Sequence, residues 1–229
     1  MTATITFDAI PAPVVPPLSE RARAVLGAVR ALARDPGRLD QVLVLTQAMN
    51  VAMVPKRWPR FAGDPEGRRL IVDRPLIDRE HVDMDALARL PDGTLGREYV
   101  RFMRDNGITS DPFHDAPKVG DDVAAYVMLR FRQSHDLWHV LTGYAPDVEG
   151  EILLQAFSWA QTGAPGSAFI ALFGTLRYML GRRGHLGRLR DAYRRGARTR
   201  FLGAFRWEDH WATPVAELRA LLACPPAAV

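Results

Sequence analysis

Apolar positions recur at helical spacing over most of this chain. In "SERARAVLGAVRALARDPG", which begins at Ser19, they fall three and four residues apart until Asp35-Pro36-Gly37 interrupts them. That spacing predicts an amphipathic helix with Ser19 as N-cap and the Asp-Pro-Gly triplet as its stop. "RLDQVLVLTQAMNVAM" predicts a second helix directly after it. Residues 55–95 lose the period and gain Pro, Gly and Arg, so they read as irregular, with "GRRLIVDRPLID" the one stretch suited to a short strand or extended run. "LPDGTLGREYVRFMRDNG" predicts a turn and then a helix ending near Gly107. From Asp121 or Asp122, either suited to capping, one long helix is expected to run to Gly143, a natural stop.

From Ile152 to Leu176 there are 25 positions without a charge. Length alone would let such a run cross a bilayer. Gln155, Ser158 and Gln161 interrupt it, however, and Pro165 between two glycines breaks it, so it predicts a pair of buried helices. The first 18 residues are proline-rich and predict an extended arm that orders only by packing on the body. The expected fold class is mostly α: an arm over 1–18 and one helical domain over 19–229, with an apolar pocket and a metal site between two helices.

Composition changes this picture little. The 229 residues need only one core. The single cysteine, Cys224, excludes a disulfide framework or a Cys-rich zinc ribbon and suits a reducing cytoplasm. The opening segment has neither a charged start with a long apolar core nor the arginines of a mitochondrial leader, so a cytoplasmic location is expected. The net charge of +4 is carried almost wholly by arginine, Lys56 and Lys118 being the lysines. Nine of the arginines crowd into Gly181–Trp207 against one acid, Asp191. Leu186, Leu189 and Tyr193 fall at helical spacing there, which predicts a basic amphipathic helix. It suits an anionic membrane surface or a plain solvated face; nucleic acid is disfavoured because no binding motif accompanies the charge.

The chemistry concentrates in "SHDLWHVLTGYAPDVEGE", residues 134–151. On a helix, His135, Asp136 and His139 share an arc of roughly 100°, while Leu137 and Trp138 point away. Two imidazoles four residues apart can reach one ion with a carboxylate beside them. Glu151 opens the next helix, and a reversal through "GYAPDVEG" can return it to the same point. Two neutral histidines and two carboxylates would balance a divalent cation. Met128 and Arg132 lie on the same arc within two turns upstream. Glu151, Gln155, Ser158 and Thr162 form a narrow polar stripe at i, i+4, i+7 and i+11, suited to an internal cavity with the metal at one end. Met128, Gln155, Ser158 and Thr162 are therefore the candidate pocket residues. The plainer alternative makes both histidines ordinary helix residues and pairs Asp136 with Arg132. Four ligand types in this geometry favour the metal. A mixed N/O donor set points to a working ion: Zn²⁺ first, with Fe²⁺, Mn²⁺ or Mg²⁺ also suited. If all four side chains bind, a tetrahedral ion keeps no free position, and chemistry requires an expanded shell or a displaced carboxylate.

These residues resemble the signature of the ubiquinone (coenzyme Q) biosynthesis protein 4 family: H-D-x-x-H, eleven residues, then E, here "HDLWHVLTGYAPDVEGE". "GRRLIVDRPLI", "LPDGTLGREYVRFMRDN", "YVMLRFRQSHD", "GEILLQAFSWAQTGAPGSA" and "RWEDHWATPVAELRALL" resemble family segments in the family's order, over roughly residues 24–226. The resemblance implies a helical fold, a divalent ion on His135, Asp136, His139 and Glu151, and an apolar pocket for a polyprenyl tail. It further implies C1-decarboxylation, alone or coupled to C1-hydroxylation, of a polyprenylated 4-hydroxybenzoate precursor. Peripheral membrane association, here on the inner face of the cytoplasmic membrane, and contact with other ubiquinone-synthesis enzymes are also implied. Ser158 stands where family members often carry glutamate, which alters the pocket wall.

Arg132 is the candidate to hold a substrate carboxylate bidentately. Other functions remain in view. A non-catalytic lipid-binding scaffold would use the same four ligands to join two helices. A phosphohydrolase would draw on His114, the His135-Asp136 pair and Asp147, leaving His139 and Glu151 idle; a zinc peptidase would want glutamate in place of Asp136. His81, His114, His185 and His210 show no ligand spacing and read as surface or local hydrogen-bonding residues. The oligomeric state is open, a homodimer included.

Overall fold

The structure is a computed structural model that describes residues 6–35, 38–108 and 120–227. It is all-helical, with no β-strand among the described residues. Helices α1 (Leu18–Arg34) and α2 (Leu39–Asn50) form an antiparallel pair. Helix α1 starts one residue before Ser19, behind Pro17 and without a side-chain cap, and ends at Asp35. The segment before it lies along the body. The Val14 N–H donates to Asp121 Oδ2 at 2.6 Å, and its carbonyl accepts from the Asp121 N–H at 2.9 Å. Phe7 stacks on Trp58 with ring centroids 5.2 Å apart.

The stretch expected to be irregular or extended is helical in part, with α3 (Met53–Gly63), α4 (Pro65–Asp73) and α5 (Met84–Ala88), while residues 74–83 and 89–94 are irregular as expected. Local chemistry accounts for α4. Asp64 accepts from the Glu66 and Gly67 N–H groups, Pro65 occupies the first turn, and Arg74 closes the helix in the left-handed region (φ 46°). Gly67, Leu70 and Ile71 are its buried residues. Their i, i+3, i+4 spacing is a helical face that the β-branched look of "LIV" disguises. Gly67 also permits close packing, since a Cβ there would sit 2.8 Å from the Phe61 carbonyl oxygen.

Helix α6 (Leu95–Asp105) follows as expected. The single long helix expected from Asp121 to Gly143 is two: α7 (Asp122–Gln133), capped by Asp121, and α8 (His135–Thr142), separated at Ser134. Ser134 keeps helical hydrogen bonds on both sides, from its N–H to Arg130 and from Trp138 to its carbonyl, so the interruption is a local irregularity rather than a loop. Gly143 ends α8 at φ 79°.

Helix α9 (Val148–Thr162) is capped by Asp147 and stops at Gly163 (φ 68°), and α10 (Pro165–Gly174) begins with proline in its first turn. A π-helical turn (Thr175–Met179) extends α10. Two helices were expected here, but both were expected to be buried. Helices α9 and α2 cover only one side of α10, and Phe169, Leu172 and Phe173 stand in solvent. Helix α11 (His185–Arg198) packs along α9 with Gly196 at the closest approach, and α12 (Val215–Leu221) packs on α8.

Two apolar clusters form the core. One is built on Leu137, Trp138, Leu154, Phe157 and Trp207; the other on Val54, Phe61, Leu70, Ile71 and Val127. Phe131 joins them, edge-on to Phe61 at 6.4 Å and to Trp138 at 6.0 Å. The basic tract is partly consumed internally. Arg188 binds Glu149, Arg195 caps α8 through the Thr142 carbonyl, Arg200 binds Asp64 and Glu66, and Arg206 binds Asp73.

Candidate metal centre and adjoining cavity

The turn from α8 into α9 does what the sequence spacing anticipated. It folds Glu151 back onto His135 and His139. Glu151 Oε1 lies 3.0 Å from His139 Nε2, and its Oε2 lies 3.5 Å from His135 Nε2. One donor atom from each of the three lies within 4.8 Å of the others. Asp136 is not in that group; it lines the cavity next to it. Asp147, needed by the phosphohydrolase alternative, is engaged as the α9 cap, accepting from the Gly150 N–H at 2.7 Å. His114 lies outside the described residues.

Hydrogen bonding shows why a cation fits. His139 is 1% exposed, and its Nδ1 lies 2.9 Å from the Tyr144 carbonyl oxygen, which can only accept. Nδ1 therefore carries the proton, and a neutral ring presents a bare Nε2 lone pair to the Glu151 carboxylate. Two acceptors at 3.0 Å repel unless a positive charge, proton or metal, lies with them. Phe102 stacks on the His139 ring at 5.3 Å and fixes its plane.

The electrostatics follow. Burial alone would raise the Glu151 carboxyl, but positive charge shared with His135 and His139 outweighs that and brings it down to about 2. Burial alone works against charge on His135, but Glu151 and Asp136 outweigh it and raise that histidine. Asp136 is pushed up, first by burial, with the two histidines offsetting only part. The corner thus favours an ionised Glu151 carboxylate and positive charge on His135, while burial works against ionisation of Asp136.

Beside it lies a cavity of about 230 Å³. Met128 and Arg132 enter it from α7, Gln155, Ser158 and Thr162 from α9, and Leu43 and Asn50 from α2. All four candidate pocket residues and Arg132 therefore share one cavity with His135 and Asp136. Burial lowers the Arg132 guanidinium, which still stays charged. Thr162 contributes less polarity than its place in the stripe suggests. Its hydroxyl donates to the Ser158 carbonyl at 2.7 Å and accepts from the Ala164 N–H at 3.1 Å.

Sequence reasoning did not find the groups that hold the ligands. Tyr144 acts through its carbonyl, which no side-chain pattern announces. Gly150 left one legible sign, a glycine inside a helix just before the candidate ligand Glu151. A Cβ there would lie 1.9 Å from the Ala145 carbonyl oxygen, so only glycine lets the 144–147 loop pass this close to α9. His185 was read correctly as a local hydrogen-bonding residue, between Glu149 and Thr175.

The fold and this corner define a class: an all-helical domain with a histidine–carboxylate group able to hold a metal, placed beside a partly open cavity. Comparison with known proteins makes the class specific. The family model for coenzyme Q (ubiquinone) biosynthesis protein Coq4 matches residues 14–227, and the chain belongs to that family. It is 36% identical over 202 residues to the mitochondrial ubiquinone biosynthesis protein COQ4 homolog of Danio rerio, covering 87% of this chain and 74% of that one. It is 33% identical to mitochondrial COQ4 of Coprinopsis cinerea, covering 87% and 69%. A crystal structure of a protein assigned to ubiquinone biosynthesis from Nostoc punctiforme superposes with a TM-score of 0.69 at 29% identity, covering 89% of this chain and 96% of that one. The role of this chain is in ubiquinone biosynthesis.

Proposed function

We propose that the chain is a metal-dependent lyase. It removes the C1 carboxyl group of a polyprenylated 4-hydroxybenzoate precursor as CO₂, with a proton taking its place; coupled C1-hydroxylation would require a redox-active ion and O₂ as oxidant. The observation that carries this reading is the convergence of His135, His139 and Glu151 beside a cavity that also contains a half-buried arginine. His135, His139 and Glu151 would hold a divalent ion, Zn²⁺ first, with Asp136 as the fourth ligand the motif implies. When bound, the ion supplies Lewis acidity toward an oxygen of the aromatic head group.

The remaining work falls to the chain itself. Arg132 receives the leaving carboxylate and orients it. Met128, Phe131, Trp138 and Ile170 make the cavity wall apolar, which favours the neutral CO₂ product over the carboxylate. Breaking the C1–carboxyl bond leaves its electron pair on C1, which takes up a proton from solvent. Gln155 and Ser158 line the head-group end, and the uncharged segment of α9 and α10 borders the prenyl tail. The substrate arrives from the cytoplasmic face of the membrane, where other ubiquinone-synthesis enzymes deliver it.

The test is CO₂ release from a short-chain prenylated 4-hydroxybenzoate by metal-loaded protein. The wild type is expected to turn over. Arg132→Gln should retain metal and lose rate about 100-fold or more. Metal retained in a wild type that binds the lipid but releases no CO₂ would leave the non-catalytic scaffold as the better account.

A further inference from the structure

The metal corner uses the inner face of α10 and leaves the outer face unexplained. Ser167 and Ile170 line the cavity, while Ala171 and Gly174 are buried, the latter so close to α9 that a Cβ would meet Ile152 at 2.7 Å. On the opposite side Phe169, Leu172, Phe173 and Leu176 recur at i, i+3, i+4 and i+7, all in solvent, with Phe173 53% and Leu176 64% exposed. Phe169 and Phe173 stack, centroids 5.6 Å apart and 9° from coplanar. Tyr178, within the π-helical turn, and Leu180, just after it, continue the exposed apolar surface. A strip of this kind on a soluble domain marks a surface that something covers.

Charge decides what covers it. Between Glu151 and Asp191 the chain carries no acidic residue, while Arg177, Arg182 and Arg183 stand exposed around the tip. Arg177 lies over the Tyr178 ring at 5.1 Å, a cation beside an amphipathic ring. A second copy of this chain laid strip against strip would bring the same arginines together with no acid to meet them. An anionic lipid surface satisfies both halves, acyl chains for the strip and phosphates for the arginines. The basic helix α11 is the poorer anchor. It packs along α9, and two of its arginines, Arg188 and Arg195, are committed to Glu149 and the Thr142 carbonyl.

We propose that the α10 tip, Phe169 to Leu180, is the element that seats this protein on an anionic bilayer. Its aromatic and leucine side chains enter the acyl boundary and its arginines rest on headgroup phosphates. This rests on the lipid-tailed substrate proposed above and extends it. One helix then faces the cavity on its inner side and the bilayer on its outer side. A prenyl tail can pass from the membrane to the cavity along the α2–α10 seam.

The experiment is flotation of the full chain with phosphatidylglycerol-containing vesicles, beside vesicles of neutral phosphatidylcholine. The wild type is expected to float with the anionic vesicles, less so as salt rises. Phe173→Asp with Leu176→Asp should cut the bound fraction about tenfold or more. Arg182→Gln with Arg183→Gln should cut it by a smaller factor, chiefly at low salt. All four side chains are exposed, so an unchanged circular dichroism spectrum and thermal midpoint assign the loss to the surface. Undiminished flotation of the double aspartate variant overturns the proposal, as does a wild type that ignores anionic vesicles. A wild-type dimer that the same two aspartates split into monomers overturns it too, and makes the strip a seam between copies. Metal content measured on the same samples separates the two readings. Flotation without metal sinks the metal reading and keeps the docking surface.

Discussion

Two carboxylates two residues apart on α9 meet histidines in opposite ways. Glu149 accepts from Arg188 at 2.6 and 2.8 Å and lies 2.9 Å from His185 Nδ1, while His185 Nε2 lies 3.1 Å from the Thr175 hydroxyl. The guanidinium brings a fixed positive charge, and each ring nitrogen has a protein partner, so the site is closed. Glu151 meets two imidazoles, and the Tyr144 carbonyl turns the second nitrogen of His139 toward the carboxylate. One site is a clasp between α9, the π-helical turn and α11. The other is complete only with a cation. Residue type does not separate them; the local supply of positive charge does.

The largest expected effect breaks that contrast directly. His139→Ala should reduce bound divalent metal from about one ion per chain to none, read by plasma mass spectrometry. Glu149→Gln, two residues from a ligand, should leave metal content intact and cost about 1–3 kcal/mol of stability in denaturant unfolding, because Arg188 and His185 lose an ionised partner. Equal metal loss in both variants would erase the distinction drawn here.

A smaller effect is expected from Gly150→Ala. The added methyl would collide with the Ala145 carbonyl and shift the loop that carries Tyr144, loosening His139 without touching a ligand. Metal affinity should fall about 10- to 100-fold. The accompanying destabilisation should be about 1–3 kcal/mol. Unchanged affinity in a destabilised variant would show that the loop does not position the histidine.

Acid sharpens the comparison most gently. In the metal-free chain His135 is raised, so protons compete with the ion from above the ordinary histidine range, and affinity should fall as pH drops from about 7 to 5. Glu149 is lowered, first by its hydrogen bond with His185. Its stabilising contribution is therefore present above the ordinary carboxylate value and lost only as pH falls through its lower folded-state value. A titration following metal content and circular dichroism together should show the ion leaving while the fold persists. Simultaneous loss would make the metal a structural clasp as well.

Several features were legible because they are local. A carboxylate, glycine or proline acts within one turn of its own helix, so a cap at Asp121 or Asp122, the stop at Gly143 and the break at Pro165 could be read from the chain. The same holds for the shared face of His135 and His139, which depends only on helical pitch. The misreading of Gly67–Asp73 as strand-like was also local in origin. Three consecutive β-branched or leucine side chains outweighed the cap at Asp64, although the buried period was helical all along.

What the sequence by itself determined is therefore the class of the fold, the donor types and their spacing, and the uncharged polar stripe on α9. Tertiary structure decided the rest. Only packing sets which side of an uncharged helix meets solvent, because hydrophobicity fixes a preference and not a neighbour; α10 is exposed where α9 and α2 happen not to reach. Only the fold assigns the arginines of residues 181–207, pairing Arg188, Arg195, Arg200 and Arg206 with partners from other elements. And only the loop from Gly143 to Asp147 sets the tautomer of His139, because it places one backbone carbonyl 2.9 Å from one ring nitrogen.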